Sequence, residues 1–293
     1  MTAQQTLKQI TLIGVGLIGG SFVLDLKRQG LVEKIVGIDL NAENLARALE
    51  RKVIDEAHER ISGESVAGAD WVLIATPVAT LPAICRALAP VLSPDTIVSD
   101  VGSTKLSALA AFREYLPQHF PQCVASHPIA GSDRHGALAA QFGLFQDKKL
   151  ILCPHEQQNP AALQQVEQFW QAVGSETRQM SAQEHDQIFA AVSHMPHVLA
   201  FSFVHQIVDH PDGGKYLDFA ASGFRDFTRI ASSHPAIWTD ICMANRQSLL
   251  DLINGQYQQL ARVRAMLEAG DSDKLYRYFE EAKQARDDWL EKQ

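Results

Sequence analysis

The chain contains 293 residues, of which 46% are hydrophobic and 20% are charged. This composition excludes intrinsic disorder and a collagen-like repeat, and the length suffices for one large or two medium domains. Because 34 acidic residues outnumber 26 basic ones, the net charge of −8 argues against a nucleic acid partner. An anionic ligand would therefore have to be held by a few local cations.

The cysteine pattern and the start of the chain indicate a cellular location. The four cysteines lie far apart and show neither CxxC nor Cys/His finger spacing, which favours a reduced protein. The polar start of the chain lacks the basic and apolar regions of a signal peptide. No run approaches the roughly 18 uninterrupted apolar residues of a membrane span. We therefore expect a cytoplasmic protein without a membrane partner.

The first 180 residues alternate between short runs rich in β-branched residues and longer segments with helical spacing. This alternation is typical of βαβ units on a parallel sheet. Helices are predicted between six strands, which we place near residues 10–13, 34–39, 71–75, 96–100, 123–126 and 150–153.

The strand signal disappears after about Met180, and the rest of the chain reads as nearly all helix. Apolar residues recur at spacings of three or four from 249 to 267 and again from 275 to 289, which places them on one helical face. We therefore predict an α/β domain of the Rossmann type with a parallel sheet over residues 1–180. An all-α domain is predicted over residues 181–293.

A glycine-rich turn follows the first predicted strand directly, in the segment Ile-Thr-Leu-Ile-Gly-Val-Gly-Leu-Ile-Gly-Gly over residues 10–20. Gly14 allows a tight turn, Gly16 lets the backbone approach a pyrophosphate, and Gly19 lets the helix pack against the strand. The start of the following helix offers N–H groups to the phosphates. The turn residues predicted to contact a dinucleotide are Gly14, Gly16, Leu17, Ile18 and Gly19.

The second predicted strand ends at Asp39, 20 residues after Gly19. A carboxylate at this distance is expected to bind the hydroxyl groups of the adenosine ribose. Asp39 would repel a 2′-phosphate, and no arginine follows it before Arg47. The turn therefore favours NAD over NADP, while a tight βα turn without a ligand is the alternative.

Two further segments follow predicted strands at the edge where parallel sheets bind ligands. Thr76 and Pro77 follow the strand at 71–75, although a plain proline turn would look the same. Ser103 follows the strand at 96–100, where Gly102 could bring it near the nicotinamide. Ser103 could equally cap the helix that begins near Lys105, and the two roles are compatible.

His127 follows the strand at 123–126 and should project from the same edge. Hydride transfer from a carbinol requires an acceptor for the hydroxyl proton, and a neutral imidazole suits that role near neutral pH. A hydrogen-bonded structural histidine is the alternative.

His194 and His197 lie three residues apart at the start of an apolar helical stretch. No nearby carboxylate or cysteine completes a metal site, so no metal is expected. The two histidines are either polar groups at a helix start or a hydrogen-bonding wall that faces a polar substrate. The remaining histidines show no usable pairing.

The segment 221–231 places Arg225 and Arg229 four residues apart, on one helical face. Asp226 and Arg229 could form an ion pair on an exposed helix, which is the common arrangement. The alternative hypothesis is that the guanidinium of Arg225 or Arg229 binds an anionic substrate, since its fork matches a carboxylate.

Together, the glycine turn, residues 126–131, residues 193–197, and residues 223–231 followed by Trp238 resemble the prephenate dehydrogenase family. That family includes arogenate and cyclohexadienyl dehydrogenases. The resemblance implies NAD-dependent oxidative decarboxylation of prephenate to 4-hydroxyphenylpyruvate in tyrosine biosynthesis, with arogenate as a second candidate substrate. It also implies a homodimer formed through the helical domain.

The resemblance also implies residue roles. His127 matches the histidine that takes the proton of the ring hydroxyl, and Ser103 matches a serine that assists it. Arg229 matches the arginine that binds a substrate carboxylate. The remaining matches, which lie in or around the substrate pocket, are His197, His194, Gly223, Asp226 and Trp238.

Several alternatives stay open. Asp133 or Arg134, just after the histidine motif, is expected to face the side chain that distinguishes prephenate from arogenate. A fused chorismate mutase or regulatory domain is not expected. A dehydrogenase of the β-hydroxyacid type is a competing enzyme class, although it would need a lysine that is not obvious near residues 193–197. A non-catalytic regulatory protein that responds to NAD is the third reading.

Overall fold

A computed structural model describes residues 6–131 and 136–292 of the chain. Eight strands form one sheet in the order β3-β2-β1-β4-β5-β6-β7-β8. The strands are β1 (Leu7–Ile13), β2 (Val32–Ile38), β3 (Glu56–His58), β4 (Trp71–Ile74), β5 (Ile97–Asp100), β6 (Cys123–Pro128), β7 (Lys149–Cys153) and β8 (Glu176–Gln179). The strand order reverses between β1 and β4, and such a reversal creates the crevice in which parallel sheets bind ligands.

All six predicted strands are present, and the α/β class is confirmed. The sequence missed β3 and β8, which lie at the two edges of the sheet. Their sequences, Glu-Ala-His and Glu-Thr-Arg-Gln, carry no apolar alternation because neither strand is buried. Edge strands of this kind leave little hydrophobic signal.

The predicted parallel sheet is confirmed as a mostly parallel sheet, from which one strand pair departs. β6 and β7 are antiparallel, with His127 opposite Ile151, whereas the other pairs are parallel. A parallel return needs a long crossover, usually a helix. The described part of the connection, residues 129–131 and 136–148, contains only a short 3₁₀ turn at Ala137–Ala139.

Helices cover both faces of the sheet, and each face carries its own buried apolar cluster. On one face, the Phe22 ring stacks on Trp170 at 4.1 Å between centroids and meets the edge of Trp71 at 5.4 Å. The helices of this region are α1 (Leu17–Arg28), α2 (Ala42–Glu50), α3 (Gly63–Val66), α4 (Leu81–Leu88), α5 (Lys105–Tyr115) and α6 (Pro160–Ala172).

The chain after β8 is helical, as predicted. Its helices are α7 (Ala182–Phe189), α8 (Met195–Val208), α9 (Gly213–Asp218), α10 (Ser222–Thr228), α11 (Pro235–Ala244), α12 (Arg246–Glu268) and α13 (Ser272–Leu290). A π-helical turn at Ala190–His194 joins α7 to α8 without a break. Such turns often occur at functional sites.

The chain divides into two compact units, Met1–Asn245 and Arg246–Gln293. The first combines the sheet with α7 to α11, and the second is the hairpin of α12 and α13. The domain boundary predicted at residue 180 falls directly after β8 and stays a prediction. Within the hairpin, the Tyr278 hydroxyl donates to Gln259 at 3.2 Å.

Candidate active site

The glycine turn has the geometry of a phosphate cradle. Gly14 has a φ of +89°, and a Cβ atom there would lie 2.6 Å from the carbonyl oxygen of Ala75. At Gly19, a Cβ atom would lie 2.5 Å from the Leu12 side chain, so this glycine lets α1 approach β1 closely. At Gly16, by contrast, a Cβ atom would meet nothing within 4 Å. The backbone at Gly16 is therefore open to a ligand.

The start of α1 suits an anion. Gly16 occupies the cap position, and no side chain caps the helix. Leu17 is buried and Ile18 is half-buried, so their side chains anchor the helix start. The N–H groups of a first helical turn carry partial positive charge, which stabilises a phosphate.

Asp39 lies directly after β2 and beside the glycine turn. Its Oδ2 accepts hydrogen bonds from the Val15 N–H at 3.1 Å and from the Asn44 side chain at 3.0 Å. Its Oδ1 accepts one from the Asn41 N–H at 2.9 Å. The carboxylate is therefore fixed next to the cradle. Thr76 and Pro77 lie on the other side of the turn, where the Thr76 methyl would be 2.7 Å from a Cβ atom at Gly14.

A buried ion pair fixes the loop that carries Ser103. The Lys105 ammonium contacts the Asp100 carboxylate at 2.5 Å and donates to the Ser126 carbonyl oxygen at 2.5 Å. Asp100 also accepts from the Gly102 N–H at 2.9 Å. This network joins the ends of β5 and β6, so the segments with Ser103 and His127 are held together. Neither charge is exposed, so removing one partner would leave the other uncompensated.

The helix-capping alternative for Ser103 was wrong. Thr104 occupies the cap position of α5, and it makes no capping hydrogen bond. The Asp186 carboxylate, from α7, accepts instead from the N–H groups of Lys105 at 2.7 Å and Leu106 at 3.0 Å. Ser103 lies half-buried in the loop before the cap position, and Asp186 takes the place of a local cap.

His127 begins a chain of hydrogen bonds that runs into the protein. Its Nδ1 lies 2.8 Å from Nε2 of His185, whose Nδ1 lies 2.8 Å from Oδ1 of Asp186. His185 and Asp186 are fully buried, whereas His127 is half-buried and lines a cavity. The interpretation that histidines outside the 194/197 pair show no usable pairing was therefore wrong for His185.

Burial controls the charge of these rings. It holds the pKa of His127 well below its ordinary value, and the charges of His185 and Lys105 lower this pKa further. Burial also lowers the pKa of His185, against the hydrogen bond to Asp186, which raises it. Both imidazoles are therefore neutral near pH 7, and a neutral imidazole can accept a proton.

His194 and His197 have different environments. His197 donates from Nδ1 to the Ser193 carbonyl oxygen at 2.9 Å, and its ring stacks on Trp238 at 3.4 Å between centroids. His194 is buried, with Nδ1 at 3.3 Å from the Asn245 amide, and burial lowers its pKa to about 4. The Nε2 atom of His194 has no hydrogen-bond partner among the described residues.

One cavity of about 1310 Å³ adjoins His127. Its polar wall comes from β6, the π-helical turn, α8, α10 and the segment between α10 and α11. The polar residues in this wall are His127, Ser193, His197, Arg225, Arg229 and His234. Phe189, Phe224 and Trp238 supply aromatic surface. The cavity therefore combines a neutral imidazole, two guanidinium groups and apolar rings, which suits an aromatic or cyclic anion.

The predicted ion pair between Asp226 and Arg229 is not formed. Among the described residues, no ion pair includes Arg225 or Arg229. Both side chains line the cavity instead. The guanidinium of Arg229 also lowers the pKa of His197, which indicates that the two groups are close.

Some predicted pocket residues do not reach the cavity wall. Gly223 and Asp226 are exposed on α10 and do not line the cavity, and His194 lies behind it. Their predicted roles around the pocket or in its closure stay predictions. Asp133 and Arg134 lie outside the described residues.

Sequence reasoning missed His185 and Asp186, although a signal was present. The buried face of α7 is formed by Ala182, His185, Asp186 and Phe189. These positions have the spacing of an apolar helical stripe, yet two of them are titratable. A buried polar pair in a core stripe must be hydrogen-bonded, so such a pair indicates either a cap or a site.

Comparison with known proteins agrees with this geometry. Residues 22–178 match the family model described as prephenate dehydrogenase, nucleotide-binding domain, and residues 181–281 match prephenate dehydrogenase, dimerization domain. The prephenate dehydrogenase of Bacillus subtilis is 38% identical over 95% of this chain and 75% of that protein. The cyclohexadienyl dehydrogenase of Zymomonas mobilis is 32% identical over 95% of both chains.

A solved structure is also similar. It is the prephenate dehydrogenase of Aquifex aeolicus in complex with hydroxyphenyl propionate and NAD+, with a TM-score of 0.90 and 32% identity over 96% of this chain and 98% of that one. The two family models together span strands β2 to β7, the cavity and most of the α12–α13 hairpin. The chain therefore belongs to the prephenate dehydrogenase family.

Proposed function

We propose that the chain catalyses the NAD-dependent oxidative decarboxylation of prephenate to 4-hydroxyphenylpyruvate. The observation that carries this proposal is that His127 and Arg229 line the same cavity. This arrangement places a proton acceptor and an anion-binding group at one substrate. Arogenate, which bears an amino group where prephenate bears a keto group, is a second candidate substrate.

The dinucleotide fits the open side of the glycine turn. We assign the pyrophosphate to the backbone of residues 14–19 and the adenosine ribose to Asp39, with Thr76 and Pro77 beside the turn. These assignments are supported by the positive φ of Gly14, the open space at Gly16 and the absence of a side-chain cap on α1. When bound, NAD supplies the acceptor for the hydride that leaves the ring carbon bearing the hydroxyl group.

Side chains of the protein accept the proton of the substrate's ring hydroxyl. His127 accepts the proton of the ring hydroxyl through Nε2, since Nδ1 is engaged with His185. Ser103 assists the same hydroxyl from the neighbouring loop. Loss of hydride and proton leaves a dienone. Carbon dioxide then departs and leaves its bonding electron pair in the ring, which becomes an aromatic phenolate and takes the proton back from His127. This gain in aromaticity drives the reaction, so the protein mainly positions the reactants.

Arg229 binds a substrate carboxylate, and Arg225 lies on the same wall. Prephenate carries two carboxylates, so two guanidinium groups match its charge. His197 and Trp238 form a stacked wall beside Arg229. Because the pKa of His197 is lowered, this ring adds hydrogen bonding without a further charge.

The direct test of the proposal is NADH formation with a panel of substrates. Prephenate, arogenate and a set of 3-hydroxy acids would each be offered with NAD and with NADP. We expect NADH, carbon dioxide and 4-hydroxyphenylpyruvate in equal amounts from prephenate and NAD. Turnover of a 3-hydroxy acid alone would contradict the proposal and favour a β-hydroxyacid dehydrogenase. Binding of NAD without turnover of any substrate would favour a regulatory protein.

Asp39 is expected to set the preference for NAD. Asp39→Asn keeps the shape and the hydrogen-bond acceptor but removes the charge that repels a 2′-phosphate. We expect the ratio of kcat/KM for NAD to that for NADP to fall by about tenfold or more, which corresponds to about 1.4 kcal/mol. Asp55→Asn is the matched control, because Asp55 also accepts from a backbone N–H, at Ile35. If Asp39→Asn and Asp55→Asn had the same NAD-to-NADP ratio of kcat/KM, Asp39 would not set the cofactor preference.

The helical region is proposed to form a homodimer. The continuous helix Ala182–Val208 is long and apolar enough to cross a membrane, yet only 28% of its most apolar 18 residues are buried within the chain. It carries His185, Asp186 and His194, which are hydrogen-bonded inside the site. Exposed apolar residues on the second unit include Tyr257, Leu260, Phe279 and Trp289. A second subunit would cover such surfaces.

Sedimentation equilibrium would test the dimer. One chain has a mass of 32.3 kDa, and we expect about twice this mass at micromolar concentration. Leu260→Glu combined with Phe279→Glu should shift the mass toward one chain, since it places charge on two exposed apolar side chains of the hairpin. A wild-type mass of one chain across the concentration range would contradict the proposal. The cytoplasmic location stays a prediction.

A further inference from the structure

The hydrogen-bond chain behind His127 ends at a carboxylate that cannot act as a donor. Asp186 accepts from the N–H groups of Lys105 and Leu106 at the start of α5, and from Nδ1 of His185. Each oxygen of the carboxylate therefore accepts from a backbone N–H at a helix start, where partial positive charge favours an acceptor. Asn245 further fixes this residue, because its amide donates to the Asp186 carbonyl oxygen at 2.7 Å.

Both oxygens of Asp186 are acceptors, and this determines the direction of each hydrogen bond in the chain. Because the carboxylate only accepts, Nδ1 of His185 must carry its proton. A neutral His185 then presents a bare Nε2 toward His127. The contact at 2.8 Å therefore requires that Nδ1 of His127 donate to it. The only site left for an incoming proton on His127 is Nε2.

We propose that His185 and Asp186 are positioning residues that fix His127 in the tautomer with a bare Nε2. This inference rests on the proposed function, since it explains how the imidazole is prepared to accept the substrate's proton. Nε2 of His185 accepts the hydrogen bond that holds the proton on Nδ1 of His127. Asp186 orients His185 through the hydrogen bond to its Nδ1. Neither residue contacts the cavity, so neither touches the substrate.

The same chain keeps a hydrogen-bond partner for His127 after it takes up the proton. An imidazolium at His127 keeps its Nδ1–H bond to His185, which is itself polarised by the buried carboxylate. Lys105 disfavours a positive charge on both rings, whereas Asp100 and Asp186 favour one on His185. The ring of Phe189, 4.5 Å from that of His185, closes the apolar side. Loss of the acceptor at His185 should therefore lower kcat strongly and should change the KM for prephenate only slightly.

His185→Phe tests the proposal, because it keeps a flat ring and removes the acceptor. We expect kcat for prephenate to fall by about 10- to 100-fold, with the KM for prephenate and the dissociation constant of NAD within about twofold of wild type. His185→Gln should restore most of the rate, since a glutamine carbonyl can accept from Nδ1 of His127. His155→Phe is the matched control, because His155 is also a ring packed on a phenylalanine, at 3.8 Å from Phe120.

Nitrogen-15 spectra of labelled histidine read the tautomer without turnover. The His127 signals are assigned by their loss in His127→Asn. In the wild type we expect a proton on Nδ1 and none on Nε2, and in His185→Phe we expect proton density on Nε2 as well. A proton on Nε2 in the wild type would overturn the inference. So would a kcat in His185→Phe equal to that of His155→Phe. A wild type that does not oxidise prephenate would instead refute the proposed function, and the spectra would still decide the tautomer.

Discussion

We expect His127→Asn to lower kcat for prephenate by about 10²- to 10⁴-fold, the range for loss of a general base. Asparagine keeps a polar group of similar reach, but it cannot accept a proton near neutral pH. The dissociation constant of NAD should stay unchanged, because His127 lies on β6 and the glycine turn follows β1. Stopped-flow measurement of NADH formation and fluorescence titration with NADH separate the two effects. Near-normal turnover would remove the catalytic role of His127.

The pH profile gives a second view of the same residue. Only the neutral imidazole accepts a proton, and burial holds the pKa of His127 well below its ordinary value of about 6.5. The form that supports catalysis therefore persists as the pH falls through 6.5. We expect kcat/KM to remain on its plateau at pH 6.5 and to decline only at lower pH. A half-maximal value at or above pH 6.5, with a substrate that does not titrate there, would contradict the buried environment of the ring.

Arg229→Ala is expected to raise the KM for prephenate by about 10- to 100-fold, with a smaller effect on kcat. A hydrogen bond to a charged group contributes about 1.5 to 3 kcal/mol, and each 1.4 kcal/mol changes affinity tenfold. Arg229→Lys should recover only part of the loss, since an ammonium group lacks the planar fork. Arg178→Ala, an exposed arginine on β8, serves as the control. An unchanged KM in Arg229→Ala would reassign this side chain to surface structure.

The features that could be predicted from the sequence are those in which a local residue pattern determines both the backbone geometry and the chemistry. The glycines at 14, 16 and 19 predicted a turn, and that turn now has a positive φ at Gly14, an open face at Gly16 and close packing at Gly19. Strands such as β4 were predictable because every residue in them is buried and apolar. The position of His127 at the cavity was predictable, because side chains at the carboxyl edge of a parallel sheet face the place where ligands bind.

The parts that could not be predicted depend on contacts between distant segments. The cap of α5 comes from Asp186, 81 residues after Lys105, so local capping patterns pointed to Ser103 instead. The hydrogen bond between His127 and His185 joins residues 58 positions apart. β7 reverses direction because its connection from β6 lacks a crossover helix among the described residues, and the apolar pattern of a strand does not encode its direction.

A crystal structure of this chain with NAD and 4-hydroxyphenylpropionate would test most directly whether His127 and Arg229 serve one substrate. We predict that Nε2 of His127 lies about 2.6 to 3.2 Å from the ring hydroxyl, the range for a productive proton transfer. The Arg229 guanidinium should pair with the carboxylate of the same bound molecule. A ligand whose hydroxyl contacts another side chain, with Arg229 turned away from it in every subunit, would contradict the mechanism.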